Sequence, residues 1–128
     1  MTVHWSPPPI SWYKANFDGA IFQELGVAGL GVVIRDHEGS VIGALSERIA
    51  LPPSVEDVEA LAGRRAIAFA KEIGLQEFIF EGDAEIIINS LFTDGECMAH
   101  FGHLIKDSRQ LAASLKSFYL FTCKREGE

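Results

Sequence analysis

Hydrophobic and polar residues alternate along the first third of the chain. Between Trp12 and Ala20 the period is two residues, which predicts a strand with one apolar face and one polar face; the polar row consists of Lys14, Asn16 and Asp18. Two further segments, Ala28 to Arg35 and Ser40 to Ile49, have strand-like composition and flank a turn at residues 36–39. The pattern predicts a three-stranded antiparallel meander.

The period changes from two to 3.6 residues after this meander. Ser54 follows two prolines and is a good helix N-cap, and the apolar spacing from Val55 to Ile73 predicts a long helix that ends at Gly74. The apolar segment from Glu77 to Glu81 is short enough to be a strand buried on both faces. Such a strand indicates a parallel sheet.

The remainder of the sequence predicts two more helices and a last strand. Asp83 is a candidate cap for a helix that reaches Phe92, a second helix covers about 101–115, and a strand covers 118–124. The order βββαβααβ predicts an α/β domain with a mixed five-stranded sheet and helices on both faces. We expect residues 1–11, with three consecutive prolines, to form an extended arm and residues 12–128 to form the domain.

Composition narrows the class of protein without identifying it. The 128 residues are 48% hydrophobic and 23% charged, which is typical of one globular domain. The apolar runs are far shorter than the roughly 20 residues of a membrane helix, so we expect an intracellular protein with no membrane partner. Two cysteines do not make a disulfide framework. The net charge of −7 opposes binding to a polyanion.

Glu59 is the first candidate for chemistry. A helical wheel puts it inside the apolar stripe of the long helix and puts Asp57 on the opposite, polar side. A carboxylate that faces a sheet needs a cation, hydrogen bonds or a proton. The alternative is that Glu59 only benefits from the positive end of the helix dipole. Asp18 and Asp83 have similar alternatives, as a turn residue and as a helix cap.

Three carboxylates become informative when they are considered together. Asp18 lies at the end of the first predicted strand, Asp83 follows the fourth, and Glu59 lies on the helix that covers the sheet. In open α/β sheets this edge binds ligands. Carboxylates that converge there repel one another unless a cation lies between them, and oxygen ligands suit Mg²⁺ or Mn²⁺. The pattern favours metal-assisted hydrolysis.

Several sequence blocks resemble the ribonuclease H-like domain that is common in plants and is related to the ribonuclease H segment of plant non-LTR retrotransposons. The resemblance covers nearly the whole chain. It is carried by Trp5 with Pro7-Pro8, by the segments 14–20, 28–36 and 59–62, by Glu81-Gly82-Asp83, and by the segment 124–127.

The resemblance implies a sheet in the order 3-2-1-4-5 with strand 2 antiparallel, and hydrolysis of the RNA strand of RNA/DNA hybrids. It assigns Asp18, Glu59 and Asp83 as catalytic residues and metal ligands. By this analogy Asp18 bridges two divalent ions, Glu59 holds one ion and positions the sugar 2′-hydroxyl, and Asp83 holds the ion that activates water. The expected cofactor is Mg²⁺ or Mn²⁺.

Two departures from the family pattern motivate an alternative function. In the family, a last helix carries a fourth site residue. Because the sequence stops at Glu128, we expect this chain to lack that helix and that ligand. Thr122 also stands where the family usually has a histidine. Apolar surface left by the missing helix could promote self-association. The acidic charge is expected to weaken binding of a hybrid. The alternative is therefore a catalytically weak or inactive ribonuclease H-like module that binds nucleic acid or protein.

Overall fold

The computed structural model describes residues 7–82, 102–113 and 117–122. The elements in chain order are β1 (Tyr13–Phe22), a short 3-10 turn (Gln23–Leu25), β2 (Val27–Arg35), β3 (Val41–Ala50), α1 (Val55–Ile73), β4 (Glu77–Gly82), α2 (Gly102–Ala112) and β5 (Ser117–Thr122). The helix predicted from Asp83 to Phe92 lies outside the described residues, as do the first six residues of the predicted arm.

The strands form one mixed sheet in the order β3-β2-β1-β4-β5. β1 pairs antiparallel with β2, and β2 pairs antiparallel with β3. β4 and β5 return to the sheet in parallel orientation, β4 beside β1 and β5 beside β4. The α/β fold predicted from the sequence is confirmed, with the meander placed on one side of the sheet and the parallel pair on the other.

Side chains alternate between the two faces of this sheet, which we call the helix face and the groove face. The helix face packs against α1 and holds the core residues of the strands; its fully buried members include Ala15, Val32, Ile34, Phe78 and Phe80. The groove face carries the alternate residues, among them the polar row Lys14, Asn16 and Asp18 of β1. β1 and β4 therefore each contribute to both a packed face and a polar face.

Helix α1 has the bounds and the caps that the sequence predicts. Ser54 Oγ accepts a hydrogen bond from the Asp57 N–H at 3.2 Å, and Gly74 ends the helix with φ +87°. The predicted inner stripe is wrong at its start, because Val55 is 53% exposed and Asp57 is buried. α1 packs against both the sheet and α2, so its buried arc is wider than one stripe.

Helix α2 packs beside α1 and extends the same core. Ile105, Ser108 and Ala112 are buried, and Ser108 Oγ donates a hydrogen bond to the Leu104 carbonyl at 2.8 Å. These positions are spaced three and four residues apart, so one face of α2 is buried. Across the described ranges, no helix is long and apolar enough to cross a membrane.

Candidate active site

Asp18 lies where the pairing of β1 with β4 ends. β4 pairs with β1 only from Tyr13 to Asn16, whereas the ladder between β1 and β2 continues to Phe22. The prediction that Asp18 ends the first strand is therefore wrong, because the antiparallel hairpin extends four residues further. Asp18 is instead an exposed mid-strand residue beside the margin that β4 leaves open.

The residue before Asp18 contacts the last residue of β4. A Cβ atom built on Gly82 would lie 2.6 Å from Cε2 and from Cζ of Phe17, so any larger residue at this position would force the ring to shift. Phe17 itself is buried on the helix face. Asp83 follows Gly82 directly in the sequence and lies outside the described residues.

The residue after Asp18 is equally close to α1. A Cβ atom on Gly19 would lie 2.7 Å from Val58 Cγ1 and 3.5 Å from the Val58 carbonyl oxygen. The missing side chain lets the helix approach the strand at this point. Glu59 follows Val58 and is half-buried between two fully buried neighbours, Val58 and Ala60.

These two close approaches relate the three predicted site residues to one another. Phe17 and Gly19 flank Asp18, and they meet the residues that precede Asp83 and Glu59 in the sequence, Gly82 and Val58. The described part of the chain contains no group of three or more His, Cys, Asp or Glu side chains that could hold a metal ion. It does contain Asp18 and Glu59, and carboxylate oxygens are the donors that Mg²⁺ and Mn²⁺ prefer, so the donor chemistry fits such an ion.

The carboxylate of Asp18 is oriented by the backbone and faces a groove. Its Oδ1 accepts a hydrogen bond from the Gly19 N–H at 2.9 Å. The groove has a volume of about 460 Å³, and its groove-face walls are formed by side chains or backbone of Asn16, Asp18, Gly31, Val33, Ala44 and Ser46. Gly31 pairs with Asp18 across the ladder and places no side chain opposite the carboxylate. A ligand has room to reach Asp18 from this side.

A polar network that the sequence analysis missed lies in the same row as Asp18. Glu81 of β4 accepts hydrogen bonds from Asn16 Nδ2 at 2.8 Å and from Lys14 Nζ at 3.3 Å. Only 6% of the Lys14 side chain and 16% of the Glu81 side chain are exposed. The register that pairs Asn16 with Glu81 creates this contact, and the polar row of β1 was its only visible signal. The network ties β1 to β4 directly before the point where they separate.

Other cations near α1 are held away from the groove face. Arg65 forms ion pairs with Glu72 at 2.7 Å and with Glu47 at 3.5 Å. The hydrogen bond that Arg65 donates to the Glu72 carboxylate is the main reason that the pKa of the Arg65 guanidinium is raised above its ordinary value, although burial opposes the shift. Arg64 pairs with Asp107 of α2 at 3.8 Å. These contacts stabilise the packing of α1 on its neighbours.

The sheet order and the position of α1 define a ribonuclease H-like fold. A ribonuclease H1 from the halophilic archaeon Halobacterium salinarum superposes with a TM-score of 0.80, covering 89% of this chain and 86% of its own, at 19% identity. A ribonuclease H1 isolated from compost, solved in complex with an RNA/DNA hybrid, superposes with a TM-score of 0.75 over 89% of this chain and 86% of its own, also at 19% identity. Identities this low support the fold alone.

Sequence comparison gives the family. The model of the reverse transcriptase-like family matches residues 16–128, and the chain belongs to this family. A candidate ribonuclease H protein of Arabidopsis thaliana is 32% identical over 91 residues, or 71% of this chain. The matched region spans only 14% of that relative. The prediction of a ribonuclease H-like relationship is confirmed.

Proposed function

We propose that this chain is a metal-dependent nuclease that hydrolyses the RNA strand of RNA/DNA hybrids, with Asp18, Glu59 and Asp83 as catalytic residues and metal ligands. The observation that carries the proposal is the pair of close approaches around Asp18, from Gly82 on one side and from Val58 on the other. The ribonuclease H name of the relative and the bound hybrid of a structural neighbour support the substrate class.

Each residue contributes a separate part of the proposed site. Asp18 supplies an oriented carboxylate on the groove face, because the Gly19 N–H fixes one of its oxygens. Glu59 supplies a half-buried carboxylate from the start of α1, and Asp83 supplies a third after β4. A divalent ion bound by these oxygens supplies Lewis-acid stabilisation of the charge that develops on the phosphate. The groove beside Asp18 leaves space for the phosphodiester.

The test is cleavage of a labelled RNA/DNA hybrid in Mg²⁺ and in Mn²⁺. We expect the wild-type chain to cleave only the RNA strand and Asp18→Asn to lower the rate about a thousandfold, which corresponds to about 4 kcal/mol of lost stabilisation. Asp107→Asn is the matched control, because it removes one carboxylate on α2 away from the groove face. Equal rates for the wild type and Asp18→Asn would contradict the proposal.

Metal binding gives a readout that does not depend on turnover. An ion that binds only the folded chain at a hundred times its Kd raises the free energy of unfolding by about 2.7 kcal/mol. We expect Mg²⁺ to raise the melting temperature of the wild type and of Asp107→Asn, and to have no effect on Asp18→Asn. Identical melting of the wild type with and without Mg²⁺ would argue against a metal site.

The second candidate function is a ribonuclease H-like module that binds nucleic acid or protein without cleavage. The net charge of −7 favours this module over a nuclease, and favours protein over nucleic acid as its partner, because an acidic chain binds a polyanionic duplex weakly. This module leaves the hybrid intact in both metals. Self-association remains a prediction for either function, and sedimentation velocity at rising protein concentration tests it.

A further inference from the structure

A second depression adjoins the groove that contains Asp18. Its walls are formed by side chains or backbone of Phe22, Leu25, Val27, Ala28, Gly29, Ser46, Glu47 and Arg48, and it has a volume of about 250 Å³. Ser46 lines both depressions, so they adjoin at this residue of β3. The register places Asp18, Gly31 and Ser46 in one row, and Ala20, Gly29 and Arg48 in the next.

An aromatic ring forms one wall of this second depression. Phe22 ends β1 on the groove face, and half of it is exposed. A Cβ atom on Gly29 would lie 3.6 Å from Phe22 Cε2, so the ring packs over the glycine backbone. Exposed aromatic rings are the surfaces on which nucleotides stack.

A cationic side chain, Arg48, lines the same depression as this ring. Arg48 is directly opposite Gly29 in the ladder and is exposed. In the described portions of the chain Arg48 forms no ion pair, whereas Lys14, Arg64 and Arg65 all do. In a chain of net charge −7, an exposed guanidinium on this face is a local site for a phosphate.

The spacing relates this cation to the candidate active site. Strands about 4.8 Å apart, with a rise of about 3.4 Å per residue, put the Cα atoms of Asp18 and Arg48 about 12 Å apart. Arg48 is two strands and one row away from Asp18 on the same face. A single nucleic-acid strand that crosses the shared Ser46 wall can contact both depressions.

We propose that Phe22, Gly29 and Arg48 form a nucleotide subsite that holds the substrate strand next to the linkage at Asp18. Phe22 stacks on a sugar or base, Gly29 leaves room for the Phe22 ring to lie against the sheet, and Arg48 pairs with a phosphate. The inference rests on the proposed function, since it positions the strand relative to Asp18. Its ligand is a phosphodiester strand of the hybrid.

The test is binding of a fluorescently labelled RNA/DNA hybrid in EDTA, which excludes cleavage, between 50 and 200 mM salt. Each phosphate contact contributes about one unit to the slope of log affinity against log salt. We expect Arg48→Gln to weaken binding five- to tenfold and to lower this slope by about one unit. Arg48→Lys retains the slope. Lys71→Gln, the matched control, removes an exposed charge from α1 and leaves the slope unchanged.

The aromatic contact has a different signature. Phe22→Leu keeps an apolar side chain over Gly29 but removes the ring, so binding is expected to weaken about five- to tenfold with an unchanged salt slope. Phe22→Tyr keeps the ring and retains binding. Circular dichroism confirms that each variant is folded before binding is measured.

The outcomes separate this inference from the proposed function. If the wild type cleaves the hybrid but the Arg48 and Phe22 variants bind like the wild type, the subsite is wrong and the nuclease remains. If the variants bind weakly as expected and the wild type does not cleave in Mg²⁺ or Mn²⁺, the subsite stands and the nuclease is wrong. An equal fall in slope for Lys71→Gln, or no hybrid binding by the wild type, overturns the subsite.

Discussion

The two faces of the sheet use the same strands for different purposes. On the helix face, Ala15, Phe78 and Phe80 are fully buried against one another and against α1. On the groove face, β1 exposes Asp18, and β2 and β3 place Gly31, Ala44 and Ser46 beside it. β1 illustrates the division, because Phe17 packs into the core while its neighbour Asp18 faces the groove. Side-chain alternation therefore separates stability from chemistry at the level of single residues.

The largest expected effect compares a phenylalanine from each face. Phe80 is fully buried and stacks on Phe78 with ring centroids 5.5 Å apart. We expect Phe80→Ala to lower the free energy of unfolding by about 3–5 kcal/mol, through lost burial and a cavity. Phe22→Ala should cost about 1 kcal/mol, because half of this side chain is already exposed. Urea denaturation measures both values, and equal losses would contradict the division between the faces.

A smaller effect is expected from two glycines. Gly82→Ala would place a methyl group 2.6 Å from the Phe17 ring, and overpacking of this kind costs about 1–3 kcal/mol. A Cβ atom on Gly31 would lie 3.9 Å from the Asp18 carbonyl oxygen, which is an ordinary van der Waals distance. Gly31→Ala on the groove face should therefore change stability by no more than about 0.5 kcal/mol. Thermal melting of the two variants measures both changes in stability. A Gly82→Ala variant as stable as the wild type would show that the Phe17 ring moves freely.

The smallest expected effect comes from two ion pairs. Here the groove face holds the better buried pair, so the larger loss of stability is expected on that face. Glu81→Gln removes the charge that partners Lys14, whose side chain is only 6% exposed, and should cost about 1–2 kcal/mol. Glu47→Gln weakens a more exposed pair with Arg65 and should cost about 0.5 kcal/mol or less. Urea denaturation at neutral pH gives both numbers. A loss for Glu81→Gln no larger than that for Glu47→Gln would contradict a stabilising role of the network.

Local sequence patterns were sufficient to predict most of the helices and strands of the fold. Ser54 and Gly74 mark the ends of α1 because capping chemistry depends on neighbouring residues. Strand periods likewise placed the meander, since the side chains on one face of β2 and of β3 are less exposed than those on the other face. The end of β1 was not predictable in this way, because the hairpin continues to Phe22 through pairing with Val27 rather than through its own composition.

The candidate site was predictable only in part. Asp18 and Glu59 are conspicuous in the sequence, one at the end of a polar row and one inside an apolar stripe. The network around Glu81 depends on the register between β1 and β4, because Glu81 lies 67 residues after Lys14 and 65 residues after Asn16 in the sequence. Burial of Asp57 depends on the combined packing of α1 against the sheet and α2. Contacts between distant segments carry no local signal.

The hydrogen bond from the Gly19 N–H to Asp18 Oδ1 makes this amide a built-in reporter. The proton points at the carboxylate, so its chemical shift responds to the charge on that group. In a ¹⁵N-correlated NMR spectrum, glycine signals occupy a distinctive region, and the Gly19 signal should move as Mg²⁺ is titrated. The same signal should follow protonation of Asp18 in the absence of metal. One backbone amide thus allows occupancy of this carboxylate to be observed without any substrate.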